Sequence, residues 1–148
     1  NATAKMPVAY FDLARASEAA KRGQTPWTPS LPLFYALNKA LELMIDEGLE
    51  SIHARHQRVA DKVRAEVMAA GLSLFPKDEL YCSNTVTAVN ALDNMDITEF
   101  RSETRSAGVV FAGGQGKLSG SIFRIGHLGY IPDSDIDEAL QVLRKFLK

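Results

Sequence analysis

Phe123-Arg124-Ile125-Gly126-His127-Leu128-Gly129, preceded by the glycine-rich Gly113-Gly114-Gln115-Gly116, sets a guanidinium inside an otherwise apolar run of strand length. Side chains alternate along a strand, so Ile122, Arg124, Gly126 and Leu128 share one face, with Phe123, Ile125 and His127 on the other. Gly126 leaves space beside Arg124. A permanent charge in such surroundings has to be paired and hydrogen-bonded, and the planar five-donor fork of arginine matches a carboxylate or phosphate bidentately. Two readings follow. Either the strand holds an external anion, or Arg124 pairs with an internal Asp or Glu and fixes two elements together.

Working outward, residues 72–75, 85–90, 109–112 and 121–127 are short, β-branched or aromatic segments bounded by Gly, Pro, Asn and Asp, and read as strands. Between them, residues 97–107 are helical in pattern and stop at Gly108. The last helix opens at Asp133 or Ser134, buries Ile136, Leu140 and Leu143, and closes with Arg144, Lys145 and Lys148, the charge order that the helix dipole favours. Upstream the period is helical. Residues 10–22 read as a short helix ending at Gly23, a second helix capped by Ser30 runs to Gly48, and a third runs from Leu49, with Ile52, His56, Val59, Val63 and Val67 on its apolar stripe, to Gly71. Between the first two lies Gln24-Thr25-Pro26-Trp27-Thr28-Pro29, whose prolines push the preceding threonines into extended backbone and display their hydroxyls. The pattern predicts an α+β layer structure, a small antiparallel or mixed sheet with helices on one face. The amino-terminal helix and loop are poorly provided with a core of their own, which hints at a missing partner.

The 148 residues suffice for one domain, and 46% hydrophobic with 24% charged residues is ordinary globular composition. Seventeen basic against eighteen acidic residues, without a Lys/Arg cluster, leave no electrostatic footprint for nucleic acid or an anionic membrane. Without a membrane-length apolar run or a signal-peptide pattern, the expected location is cytoplasmic. Cys82 is the only cysteine, so neither a disulfide framework nor a multi-cysteine metal site is expected from this chain alone; it reads as a small strand-edge hydrophobe.

Three further patterns invite chemistry. The Gly113 to Gly120 segment fails as a phosphate loop, because a Walker motif needs a glycine where Phe111 stands and a hydroxyl where Leu118 stands. It reads as a strand-to-strand loop. Glu50-x-x-His53 resembles half of a carboxylate-bridged metal site and His53 and His56 lie one turn apart, but a dimetal bundle needs the motif twice plus two further glutamates, so a solvated helix face is the expectation. His127 has the chemistry of a general base but no evident orienting acid, and reads as hydrogen-bonded structure.

Taken together, Gln24-Thr25-Pro26-Trp27-Thr28-Pro29, Leu33-Phe34-Tyr35-Ala36-Leu37, Thr85-Val86-Thr87-Ala88-Val89, Gly113-Gly114-Gln115-Gly116 and the Arg124 strand resemble the class V pyridoxal-phosphate aminotransferases. The nearest branch is that of the alanine–glyoxylate and serine–pyruvate or serine–glyoxylate enzymes. The likeness runs from about Tyr10 to the end and matches only the carboxy-terminal part of such an enzyme. It implies the C-terminal domain of a fold-type I transferase, with residues 1–30 leading from an absent large domain and residues 31–148 forming the small domain.

The resemblance also implies roles by position. Arg124 falls where the family binds the substrate α-carboxylate. Thr28 falls where a threonine of one subunit binds the cofactor phosphate in the other subunit's site, which implies a homodimer. Thr25 stands where some members carry a tyrosine on the same phosphate. The lysine that forms the Schiff base with pyridoxal 5'-phosphate lies upstream in the family, so no catalytic lysine is assigned here and the isolated chain is expected to be inactive. The implied substrates are a small amino acid, alanine or serine, and a 2-oxo acid, glyoxylate or pyruvate, with no metal, nucleic acid or membrane partner. Similar chains have been called the small subunit of a soluble hydrogenase, but hydrogen activation needs a thiolate-ligated metal centre that one cysteine does not build. A stand-alone carboxylate-binding domain and a purely structural domain are the competing expectations.

Overall fold

The computed structural model describes residues 6–7 and 9–147. Contacts divide the chain into two compact units, Asn1–Asp46 and Glu47–Lys148.

In the first unit, helix α1 spans Leu13–Ala20 and begins where the Asp12 carboxylate accepts the amides of Ala14 and Arg15 at 2.9 and 3.2 Å. It stops at Gly23, whose φ of +66° suits glycine, as the Gln24 amide reaches back to the Ala19 carbonyl. The loop that follows is pinned by Trp27. Its indole stacks on Tyr10 with centroids 5.7 Å apart, donates to the Tyr10 carbonyl and lies 4.9 Å beneath the Arg15 guanidinium. Helix α2, Leu31–Glu47, has no buried residue, and Leu33, Phe34, Leu37, Leu41, Leu43 and Ile45 are exposed. At 100° per residue these side chains span more than half of its circumference, the pattern of a helix made to be covered on more than one side.

In the second unit, helix α3 spans Leu49–Ala69 and ends at Gly71 with φ +83°, where the Leu72 amide returns to the Val67 carbonyl. Strand β1 is Val86–Asn90, helix α4 Ile97–Ser106, strand β2 Ala112–Gly113, strand β3 Ile122–Gly126 and helix α5 Asp133–Phe146. The sheet is antiparallel, in the order β1-β3-β2, so the arginine strand is central. Helices α3, α4 and α5 pack on one of its faces. There the inward side chains Val89, Phe123 and Ile125 meet Val63 and Val67 of α3, Ile97 and Phe100 of α4, and Ile136, Leu140 and Leu143 of α5. The rings of Phe100, Phe111 and Phe123 lie within 5.8 Å of one another, centroid to centroid.

Two expected strands are shorter than their composition suggested. Residues 72–75 contribute one isolated bridge, Leu74 opposite Val89, since Pro76 has no amide with which to continue the ladder. Residues 109–112 shrink because the Val109 amide is spent closing α4 on the Thr104 carbonyl, and the Phe111 carbonyl is taken by Arg101 Nε at 2.9 Å. Among the described residues, no helix is long and apolar enough to cross a membrane.

Candidate functional site

The face of the sheet away from the helices carries the arginine. Register places Ala88 of β1 and Ala112 of β2 directly opposite Arg124, and Gly126 follows it on the same face. Small neighbours on three sides leave the guanidinium room, and a Cβ built on Gly126 would meet only Leu128 Cδ2, at 3.5 Å. Arg124 is half-buried, and its Nε donates to the Gly113 carbonyl at 3.0 Å. Among the described residues, no carboxylate stands within ion-pair distance of Arg124, and neither terminal nitrogen has a protein acceptor. Among the described residues, the internal ion pair that the sequence left open is not formed. A fork oriented at Nε, with both terminal nitrogens free, has the geometry to receive a planar anion.

The glycine-rich loop shapes one end of this face. It joins β2 to β3 through a single 3-10 turn, Gly116–Leu118, and is the strand-to-strand connection that the sequence implied. Gly114 is required there: a Cβ would stand 2.0 Å from the Leu118 carbonyl oxygen and 3.0 Å from Ile122. The loop thus lies over Ile122, which is buried although it shares the outer face with Arg124.

Thr25 and Thr28 belong to the first unit. The Thr25 hydroxyl donates to the Trp27 carbonyl at 2.6 Å, a local turn bond that sets the loop. Thr28 is exposed and makes no hydrogen bond with any described residue.

His127 faces inward and is 2% exposed. Its Nε2 bonds the Thr87 hydroxyl at 2.9 Å, while the buried Nδ1 has no partner among the described residues. Burial, and after it the charge of Arg64, push the ring below its ordinary pKa, so it is neutral. It is a structural histidine, placed on the opposite face from Arg124. Cys82 is half-buried and follows a 3-10 turn, Glu79–Tyr81, rather than edging a strand; it borders a cavity with Arg64 and Thr87. His53 is exposed as expected, but His56 is half-buried and bonds Ile52 and Gly129, which a solvated helix face does not do.

Sequence reasoning missed the parts played by four residues, Gly113, Arg64, Arg55 and His56. Gly113 orients Arg124 through a backbone carbonyl, which leaves no compositional trace. Arg64 is 8% exposed, held by Asp61 at 2.6 Å and by the Ser83 carbonyl at 3.3 Å. Its position one turn after Ala60 and one before Val67 on the buried stripe was the available signal. Arg55 and His56 bind the exit of β3, and their i, i+1 spacing carries no motif.

No family-level sequence profile matches the chain. Among individual proteins, the chain is 42% identical over 146 residues to a "soluble hydrogenase, small subunit" of Synechococcus sp. strain PCC 6716, which covers 98% of this chain and 38% of that protein. It is 39% identical over 124 residues to the serine–glyoxylate aminotransferase of Arabidopsis thaliana, covering 83% of this chain and 31% of that enzyme. Its fold superposes on the crystal structure of an alanine–glyoxylate aminotransferase from Nostoc sp. with a TM-score of 0.88 at 25% identity, covering 99% of this chain and 40% of the other. The chain thus spans about two fifths or less of the length of each of these proteins.

Proposed function

Because the chain belongs to the class V aminotransferase family, through a stretch that corresponds in fold to the carboxy-terminal portion of such enzymes, we propose that it is the C-terminal domain of a pyridoxal-phosphate-dependent aminotransferase. The full enzyme moves an amino group between a small amino acid, alanine or serine, and a 2-oxo acid, glyoxylate or pyruvate, and acts as a cytoplasmic homodimer. The observation that carries this reading is the unpaired fork of Arg124 on an open sheet face between Ala88, Ala112 and Gly126.

When bound, pyridoxal phosphate supplies the electron sink that lets the substrate Cα proton leave. The residues of this chain bind and orient. The two terminal nitrogens of Arg124 take both oxygens of the substrate carboxylate, while the bond from Nε to Gly113 stops the fork from rotating. The donor set of the threonine loop fits a phosphate: the Thr28 hydroxyl is exposed and makes no hydrogen bond with a described residue, and it would hold the cofactor phosphate in the other subunit's site. Thr25, its hydrogen already given to Trp27, shapes that loop. The exposed apolar surface of α2 agrees with a helix that the rest of the polypeptide covers.

The gene upstream of Asn1 tests the reading. A preceding large domain with a lysine in the family's context is expected, and a start codon close by would favour a stand-alone carboxylate-binding domain instead. The isolated chain, incubated with pyridoxal phosphate and reduced with borohydride, should give no stoichiometric lysine adduct. One fully labelled lysine would overturn the proposal that the catalytic lysine lies elsewhere.

A further inference from the structure

We propose that Arg55 and His56 are positioning residues for the outer face of β3, holding the strand exit so that Leu128 walls the open end of the Arg124 seat. The role rests on reading Arg124 as a carboxylate seat. The ladder of β3 ends at Gly126, with one further bond from the His127 amide to the Thr85 carbonyl at 2.9 Å. Beyond it no strand among the described residues partners the backbone, and α3 supplies the bonds. Gly129, at φ +86°, donates its amide to His56 Nε2 at 3.2 Å and gives its carbonyl to Arg55 Nη1 at 2.7 Å. Both backbone groups of one residue are thus held by two consecutive side chains of a helix.

The two holders are themselves fixed. The Arg55 fork grips the Glu47 carboxylate bidentately, Nε at 2.6 Å and Nη2 at 2.9 Å, and lies 5.6 Å from the centroid of the Tyr130 ring. That grip keeps the Glu47 carboxyl below its ordinary range. His56 Nδ1 lies 2.7 Å from the Ile52 carbonyl, which only accepts, so Nδ1 carries the hydrogen and Nε2 is the acceptor that the Gly129 amide needs. One turn on, Arg58 pairs with both oxygens of Asp133 at 2.8 and 3.1 Å, closing the segment at the start of α5. The residue set by this clamp is Leu128, 57% exposed, adjacent to Gly129 and on the same face as Arg124, with Cδ2 against Gly126. A network that merely tied α3 to α5 would need only the Arg58–Asp133 pair. Securing both peptide groups of Gly129 controls the direction in which the preceding side chain leaves the strand.

Nuclear magnetic resonance on this chain tests the proposal. Exchange of the Gly129 amide reports the clamp itself, whereas the Arg124 Nε–H cross-peak and the affinity for pyruvate, the probe carboxylate, are readouts that a structural tie would not move. In His56→Ala, Gly129 exchange should rise about tenfold. In Arg55→Gln, the Arg124 cross-peak and the Leu128 methyl signals should shift or broaden. Pyruvate should bind about 3- to 10-fold more weakly in both, as expected for losing one net hydrogen bond's worth of positioning. His56→Gln, which keeps an acceptor, should retain most of the affinity, and Arg55→Lys replaces Arg55→Gln if that variant does not fold. Accelerated Gly129 exchange with an unmoved Arg124 cross-peak and parental pyruvate affinity would overturn the positioning role. If instead Arg124→Ala binds pyruvate as the parent does, the carboxylate-seat reading itself falls, whatever happens at Gly129.

Discussion

The Nε of Arg124 donates to the carbonyl of Gly113 across the β2–β3 pair at 3.0 Å, and this one bond aims the guanidinium while both terminal nitrogens stay without a partner among the described residues. Arg58 spends both terminal nitrogens on the Asp133 carboxylate, and Arg55 spends Nε and Nη2 on that of Glu47. Arg124 gives no nitrogen to a carboxylate of any described residue. Glycine at 113 is part of the arrangement, since a Cβ there would stand 3.0 Å from Arg101 Nη1 and displace the side chain that holds Phe111.

Substitution of Arg124 should therefore damage function far more than folding. With no buried acidic partner to strand, Arg124→Ala should lower the stability of this chain by about 0.5–1.5 kcal/mol, the net worth of the Gly113 hydrogen bond. In the full-length enzyme the same change should cost about 2–5 kcal/mol in kcat/KM, roughly 30- to several-thousand-fold, because it leaves the substrate carboxylate unpaired in a partly dry site. Arg124→Lys keeps the charge but not the fork, and should recover little. Thermal midpoints and kcat/KM for the same substitutions decide the matter. A large fall in midpoint with near-normal kinetics would remove the carboxylate role.

Thr28→Ala in the full enzyme should loosen the cofactor, since a hydrogen bond to a charged phosphate is worth about 1.5–3 kcal/mol, or roughly 10- to 150-fold in affinity. The exposed, uncommitted hydroxyl predicts no loss of folding stability beyond about 0.5 kcal/mol. Thr25→Ala should behave in the opposite way, changing loop order more than phosphate affinity, because its hydroxyl serves Trp27. Mixing Thr28→Ala subunits with catalytic-lysine mutant subunits tests the geometry across the dimer. Activity restored in verified heterodimers is expected, and its absence there would show that the threonine does not act in trans.

Gly114→Ala should destabilise the second unit by about 1–3 kcal/mol, because the new methyl meets a backbone carbonyl at 2.0 Å and the loop has to lift from Ile122. Gly126→Ala, with only a flexible Leu128 methyl at 3.5 Å, should be tolerated in folding. Urea denaturation of the two variants side by side gives the contrast. Equal losses would mean that the loop does not make the close approach seen here.

Much of this was legible because the signals were periodic or punctuated. The Ile136, Leu140, Leu143 stripe and the glycines 23, 71 and 108 predicted α5 and three helix ends, since burial at helical spacing and positive φ leave marks on composition. Alternation along β3 put Arg124 opposite the core-facing Phe123 and Ile125. What stayed hidden depends on backbone groups. Nothing in the sequence of residues 109–112 tells that Val109 gives its amide to α4, or that Gly113 supplies the carbonyl for Arg124. His56 was misjudged for a related reason: its partner Gly129 is 73 positions away and offers only a peptide N–H.

His127 makes stability depend on pH with a definite sign. The ring is 2% exposed, bonded on one side to Thr87 and unpartnered at Nδ1, and burial followed by the charge of Arg64 lowers its pKa from the ordinary 6.5. Its folded value lies below its unfolded value, so in acid the unfolded chain takes up a proton that the folded chain refuses. The stability due to neutral His127 is therefore complete above pH 6.5 and is lost as the pH falls from there toward the depressed folded value, by at most about 1.4 kcal/mol per pH unit. Glu47 and Asp133 also have lowered pKa values, so their contributions fade only in stronger acid, below the ordinary carboxylate values of 4.5 and 3.8. The interval from pH 6.5 to 5 thus separates His127 from the carboxylates. His127→Gln, which keeps a hydrogen-bonding group for Thr87 but does not titrate, should be less stable at pH 7.5 yet lose less stability than the parent between pH 6.5 and 5. Urea midpoints across that interval measure the slope, and identical slopes in the two proteins would show that His127 is not held neutral by its burial.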